Sequence, residues 1–221
     1  MERIDRADNI IFIDSDDNIK LPLEKARKVL LSGGIVAFPT ESFYGLAVDI
    51  ENEKAIEKLF TLKQRDKDNP ILILLPELEA LNKYAEDIPD QAVKLIEAFW
   101  PGGLTMLFKA SQKISPLLTA NTGKIGIRYS GHTVATALAR SIGYPVTGTS
   151  ANISEQPPCV KAEEVYNYFG PDIDLILDNG STDGGAGSTI IDVTVSPCVV
   201  IREGMVLNKD IEKIVGCKLG G

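Results

Sequence analysis

The chain has 221 residues, of which 44% are hydrophobic and 24% charged, and it carries a formal net charge of −8. This is an ordinary globular composition, long enough for one large domain, and its acidity excludes a general nucleic-acid coat, because phosphate neutralisation supplies nearly all non-specific affinity. With one histidine, His132, and Cys159, Cys198 and Cys217 widely spaced, Cys/His zinc sites are not expected, and the thiols read as free in a reducing cytosol.

"NIIFID" (9–14) reads as a short strand. "LPLEKARKVLLSGG" places Leu23, Ala26, Val29 and Leu30 at helical spacing, with Gly33 as the C′ residue. "GIVAF" (34–38) is a buried strand that runs into Pro39, Thr40, Glu41 and Ser42, then Phe43, Tyr44 and Gly45. "NEKAIEKLFTLK" (52–63) is an amphipathic helix, and "PILILL" (70–75) an apolar strand suited to a sheet covered on both faces. "PDQAVKLIEAFW" (89–100) is a helix stopped by Pro101, Gly102 and Gly103. "LTMLFKA" (104–110) and "KIGIRY" (124–129) are strands, and "HTVATALARSIG" (132–143) a helix. "YPVTGTS" (144–150) gives a short strand that runs into a loop, and "AEEVYNYFG" (162–170) a helix. "DLILDNG" (174–180), "STIIDVT" (188–194) and "CVVIREG" (198–204) are strands, before a last helix at "NKDIEKIVG" (208–216).

Interleaved helices and strands, with strands in succession near the end, predict an α/β (α+β) layering on a mixed sheet. No repeat, low-complexity tract or linker divides the chain, so residues 1–221 are expected to form a single domain with no C-terminal extension domain. No run approaches the about 18 apolar residues of a membrane span, and no apolar segment follows the N-terminal charges, so a cytoplasmic protein with no membrane partner is expected.

The common phosphate loops are absent. "DGGAGST" (183–189) reads most plainly as a hairpin turn, or else as a nest of backbone N–H groups facing an anion, with Ser188 and Thr189 at its rim. "GTSAN" (148–152) resembles a hydrolase elbow, but Asn152 replaces the closing glycine and His132 precedes Ser150, against the usual order. In "KQRDK" the cations Lys63, Arg65 and Lys67 either complement a helix C-terminus or gather at a sheet mouth to meet phosphates. In "IGIRYS", Ile125 and Ile127 facing the core would turn Gly126 and Arg128 to the other side. There the guanidinium could clamp a carboxylate through two parallel bonds. Arg202 in "VVIREG" is similarly placed. Polar residues thus collect where strands end, which suits a polyanionic substrate that also carries a carboxylate.

The motifs "GGIVAFPTESFYGLAVD", "LKQRDKDNPILILL", "FWPGGLTMLF", "IGIRYSGH", "PVTGTSAN" and "GSTIIDVT…VIREG" occur in an order and spacing similar to the YrdC/YciO-like threonylcarbamoyl-adenylate synthase family. The resemblance spans about residues 20 to 210. The family's K-x-R and S-x-N signature stands as Lys63-Gln64-Arg65 and Ser150-Ala151-Asn152. It implies a twisted, mostly parallel mixed sheet flanked by helices around a large basic concave cleft. It also implies a nucleotidyltransferase that makes threonylcarbamoyl-AMP and pyrophosphate from L-threonine, bicarbonate or CO2, and ATP with Mg2+. The product would feed N6-threonylcarbamoyladenosine modification of tRNA with partner proteins, and tRNA or double-stranded RNA is a further candidate ligand.

By the same resemblance, Lys63, Arg65, Ser150 and Asn152 form the catalytic set. Thr40, Tyr44, Arg128 and Ser188 hold the amino acid, Lys63, Lys67, Ser150 and Arg202 bind ATP, and no residue is assigned to a metal. The chain departs from the family at Leu74, where a histidine is common, in "SEQPPCV" after Asn152, and in the short "DGGAGST". These departures leave a YciO-like paralogue with an altered substrate as one alternative, and a non-catalytic RNA-binding module as another.

Overall fold

The computed structural model describes residues 9–13 and 18–220. The first strand, β1 (Ile10–Phe12), is as expected, while Asp14 of its predicted span lies outside the described residues. Helix α1 (Lys20–Leu31) ends in a tight turn in which Gly34 N donates to Val29 O and Gly33 N to Leu30 O. That pattern needs a left-handed C′ residue, and Gly33 supplies it at φ +84°. Strand β2 (Val36–Pro39) turns through residues 40–43 into β3 (Tyr44–Ala47), its antiparallel partner.

Helix α2 (Glu53–Leu62) starts on Asn52, whose side chain accepts from Ala55 N. Strand β4 (Ile73–Leu74) follows, then short α3 (Leu81–Tyr84), β5 (Ala85–Glu86), α4 (Asp90–Phe99) and β6 (Leu104–Ala110). Next come α5 (Pro116–Thr119), β7 (Lys124–Arg128), α6 (Thr133–Ile142), β8 (Val146–Thr147) and β9 (Thr149–Ser150). The chain closes with α7 (Ala162–Phe169), β10 (Leu175–Asp178), β11 (Thr189–Asp192), β12 (Val199–Arg202) and α8 (Asn208–Val215).

The mixed α/β layering is as expected, but the strands form two sheets, and antiparallel ladders outnumber parallel ones. A 5-stranded sheet runs β1-β10-β2-β3-β9, and a 7-stranded sheet runs β12-β11-β6-β7-β4-β8, with β5 added beside β6. Pairing is parallel at β1–β10, β10–β2, β11–β6 and β4–β7, and antiparallel at the other ladders. The expectation of a mostly parallel sheet fails because hairpin returns such as β2–β3 need only a short turn, and these pair antiparallel. The sheets approach at Asp49 and Val146, which form an isolated antiparallel bridge.

"PILILL" is a strand only at Ile73–Leu74. On its N-terminal side the backbone bonds elsewhere: Ile71 N donates to Leu118 O, and Leu72 O accepts from Gly148 N. "DGGAGST" is not a hairpin, since β10 lies in the 5-stranded sheet and β11 in the 7-stranded one. It is a crossover between sheets.

Strand alternation divides the core. Ile35, Ala37, Tyr44, Leu46 and Ile176 join the larger cluster, with Leu59 of α2, Leu95 of α4 and Val165 of α7. Their neighbours Val36, Phe38, Leu175 and Leu177 face Ala26 and Leu30 of α1 and Leu138 of α6. The 5-stranded sheet is therefore covered on both faces, which is why β2 and β10 read as unbroken apolar runs. The same alternation leaves the strand ends and the corner at residues 40–43 to form a concavity.

Candidate active site

A cleft of about 600 Å3 takes lining residues from both sheets. The β2–β3 corner gives Thr40, Ser42 and Tyr44, and β9 gives Ser150. The 7-stranded sheet contributes Thr105 and Leu107 from β6 and Gly126 and Arg128 from β7. The sheet crossover brings Gly187 and Ser188, and the end of β12 brings Arg202 and Glu203. Arg65, Leu72 and Leu74 complete much of the rest. The β7 alternation is as read: Ile125 and Ile127 are fully buried in the core, and Gly126 and Arg128 line the cleft. In β6, Thr105 and Leu107 line the cleft between core residues Leu104, Met106 and Phe108, a period-2 signal in "LTMLFKA" that sequence reasoning used for the strand but not for the site.

Three guanidinium groups from distant parts of the chain line one hollow. Arg65 is held by its own loop, donating from Nε to Asn69 O at 3.1 Å and from Nη2 to Pro70 O at 2.9 Å. Arg202 donates from Nη2 to Ser188 O at 2.8 Å. Burial and the nearby Arg128 charge both push its pKa down, as expected when like charges share a poorly solvated site. Arg128 donates from Nε to Gly102 O at 2.8 Å and from Nη2 to Glu41 Oε2. The Nε–Nη2 side is thus occupied, so the two-bond carboxylate clamp expected from sequence is not open on that edge. Nη1 remains for a ligand.

Ser188 is 5% exposed, and its Oγ accepts from Thr105 Oγ1 at 2.9 Å. Thr40 Oγ1 donates to Phe43 O at 2.7 Å within the corner and keeps its lone pairs. Tyr44 is part of the wall, but its hydroxyl is committed to Gly180 O at 2.7 Å. Leu74, at the position where the resemblance implies a histidine, lies with Leu72 on the cleft surface. A Cβ on Gly148 would stand 2.7 Å from Leu74 Cγ, so only glycine allows the chain to cross these leucines.

Three residues that the resemblance assigns to the site do not line this cleft. Lys63, only 1% exposed, does not line the cleft. Its ammonium donates to Ser150 O at 2.6 Å, Asn152 O at 2.7 Å and Asn152 Oδ1 at 3.2 Å. Burial, then the Arg65 charge, hold its pKa down to about 7, against a smaller opposing effect of Cys159. The Cys159 thiol in turn is pushed up to about 12, mainly by burial.

The reason Lys63 is buried is local. Helix α2 ends in a turn in which Arg65 N donates to Phe60 O and Gln64 N to Thr61 O, with Gln64 left-handed at φ +49°. Lys63 is the last residue before that reversal, and Arg65 follows it out to the cleft. Asn152 likewise spends its amide internally: Oδ1 accepts from Ser150 Oγ at 2.7 Å and from Lys63, and Nδ2 donates to Gln156 O. Of the S-x-N pair only Ser150 reaches the cleft. Lys67 is absent from the cleft lining; its side chain is 62% exposed and stands 3.6 Å from Glu57.

The hydrolase reading of "GTSAN" also loses its base. Ser150 Oγ is bonded to an amide oxygen, whereas His132 lies beside Glu41 and Arg128, whose charges act on it. Among the described residues no group of His, Cys, Asp or Glu side chains could hold a metal ion. No described helix is long and apolar enough to cross a membrane.

Residues 28–204 match the Sua5_yciO_yrdC family model, described as Telomere recombination. A threonylcarbamoyl-AMP synthase from Pyrococcus abyssi is 36% identical over 184 residues, covering 83% of this chain and 54% of that protein. A threonylcarbamoyl-AMP synthase from Photobacterium profundum is 35% identical over 184 residues, covering 82% of this chain and 98% of that protein. A crystal structure of P. abyssi Sua5 complexed with L-threonine matches with a TM-score of 0.91 at 33% identity, covering 96% of this chain and 62% of that one. The chain thus spans little more than half of the Pyrococcus relative and nearly all of the Photobacterium one. On the extent of the family match and the identity to these relatives, the chain belongs to the Sua5/YciO/YrdC family.

Proposed function

We propose that the chain is a threonylcarbamoyl-AMP synthase, taking L-threonine, bicarbonate or CO2, and ATP to threonylcarbamoyl-adenylate and pyrophosphate. The observation that carries this reading is the convergence of Arg65, Arg128 and Arg202 with Thr40, Ser42, Ser150 and Ser188 on one cleft. A cavity of this size suits a small-molecule pair. The relatives' names and the threonine complex of the Pyrococcus protein support it.

The chemistry asks for positioning more than for a nucleophile. The threonine amine adds to CO2 and loses a proton, giving a carbamate. A carbamate oxygen then bonds to the α-phosphorus as the bond to pyrophosphate breaks. The carbamate and ATP are both anions, so the enzyme's contribution is fixed positive charge and orientation. Arg128 Nη1 meets the amino-acid carboxylate, Thr40 and Ser188 meet its hydroxyl, and Arg65 and Arg202 face the phosphates. Mg2+ would enter with ATP as part of the substrate, bridging its phosphate oxygens. The adenylate would pass to a tRNA-modifying partner in the cytosol.

Purified protein given ATP, threonine and bicarbonate should yield threonylcarbamoyl-adenylate by mass spectrometry. Absence of that mass, with another amino acid giving its own adenylate, would instead favour the paralogue reading that Leu74 motivates. Stabilisation by RNA alone, with neither ATP nor threonine, would favour the non-catalytic module.

A further inference from the structure

Glu41 is assigned no role by sequence reasoning and does not line the cleft. Yet both of its carboxylate oxygens are bonded to groups beside the cleft. Oε2 accepts from Arg128 Nη2 and from Ser130 Oγ at 2.9 Å, and Oε1 accepts from Gly131 N at 2.7 Å. Its neighbours in the chain, Thr40 and Ser42, both line the cleft. Ser42 O further accepts from Gly184 N at 2.8 Å and from Thr182 Oγ1 at 2.7 Å. The corner at residues 40–43 therefore belongs by backbone to the 5-stranded sheet. Through Glu41 it is bonded to the end of β7 and the start of α6, and through Ser42 to the crossover that leads to Ser188.

We infer that Glu41 is a positioning residue of the amino-acid subsite, setting both which face of Arg128 a ligand meets and how far the Thr40 corner stands from it. The inference rests on the threonine reading of this cleft. With Nε on Gly102 O and Nη2 on Glu41, the guanidinium cannot turn about its stem without breaking two bonds at once. Nη1 is left at a fixed distance from Thr40, because the carboxylate that holds Arg128 is carried on the residue next to Thr40. An amino acid is then measured from both ends, carboxylate on Arg128 and side-chain hydroxyl on the corner. Glu41 is unsuited to proton transfer itself. Burial alone would raise its carboxyl, but the Arg128 charge and the bonds from backbone and Ser130 outweigh it and hold the pKa below the ordinary value.

The test uses the whole chain with threonine and ATP as probes. In Glu41→Gln the shape and the Gly131 and Ser130 contacts can persist while the charge is lost. The threonine KM should rise about 10- to 100-fold, the loss of one charge-assisted bond, with the ATP KM within about twofold. Ser130→Ala, which removes one bond to Oε2 and spares the ion pair, should show the same split at a few-fold.

A readout independent of substrate is the Arg128 guanidinium in 15N NMR, assigned by its loss in Arg128→Lys. Separate, slowly rotating Nη signals are expected in the wild type and Ser130→Ala, and their collapse in Glu41→Gln. Equal rises in both KM values, or Nη signals unchanged in Glu41→Gln, would overturn the inference. Should Glu41→Gln not fold, the wild-type Nη signals and the Ser130→Ala split decide it. Failure of the wild type to bind threonine would remove the functional reading of the cleft, and the NMR comparison would still decide the Glu41–Arg128 link.

Discussion

Lys63 Nζ lies 2.6 Å from the carbonyl oxygen of Ser150, and the two residues sit on opposite sides of the cleft surface: the serine lines it and the lysine is buried beneath. The K-x-R and S-x-N motifs are thus one physical object. The lysine ties down the loop carbonyls, and that leaves the Ser150 side chain and Arg65 to face a ligand.

Lys63→Met keeps the apolar stem and removes the donor. The buried Asn152 carbonyl then loses its partner, at a cost of about 1–3 kcal/mol, while Ser150 O keeps only its 3.1 Å bond from Asn152 N. Turnover should fall at least about 100-fold through misplacement of Ser150, with a smaller effect on the ATP KM. Steady-state pyrophosphate release and denaturant unfolding check this. A variant defective mainly in ATP KM would return Lys63 to direct phosphate contact.

The same lysine gives stability a pH dependence. Its pKa is about 7 in the fold against 10.5 ordinarily, so between these values the unfolded chain binds more protons. Stability contributed by this group therefore rises with pH from about 7 towards 10, by at most about 1.4 kcal/mol per pH unit, and is least favourable below 7, where both states are protonated. The stability difference between wild type and Lys63→Met should grow across that window. A difference that stays constant from pH 7 to 10 would contradict it.

Arg65→Ala and Lys67→Ala separate two cations that the sequence presents as equals. Arg65 lines the cleft, and Lys67 is an exposed partner of Glu57. The first should raise the ATP KM about tenfold or more without unfolding, since its bonds go only to loop carbonyls at Asn69 and Pro70. The second should stay within about twofold of wild type, in keeping with the small worth of exposed ion pairs. ATP titrations at saturating threonine distinguish them, and equal defects would mean that Lys67 reaches the nucleotide after all.

Arg128→Ala removes the proposed carboxylate contact and leaves Glu41 without its guanidinium partner. We expect a threonine KM raised far more than that for ATP, together with a loss of about 3 kcal/mol in stability. Arg128→Lys should recover stability but not threonine affinity, because an ammonium cannot hold Glu41 and a second carboxylate in the same fixed geometry. Recovery of both would show that only charge matters at this position.

What the sequence determined by itself was whatever depends on neighbours within a few positions. Helices α1, α2, α4, α6, α7 and α8 and the strands β6 and β7 sit close to where periodicity put them, because a helical face or a strand face is set by local backbone geometry. The same local rule turned Arg128 away from Ile125 and Ile127, and it placed Gly33 at a helix end. The tertiary structure alone decided which strands share a sheet, that 183–189 crosses between sheets, and which remote carbonyls, at Ser150 and Asn152, receive the Lys63 ammonium that the local turn directs inward. It also decided that Glu41 holds Arg128 from 87 positions away. Burial and hydrogen-bond partners depend on segments remote in the chain, and nothing in "KQRDK" or "PTES" read alone says which distant carbonyl or guanidinium will arrive beside it.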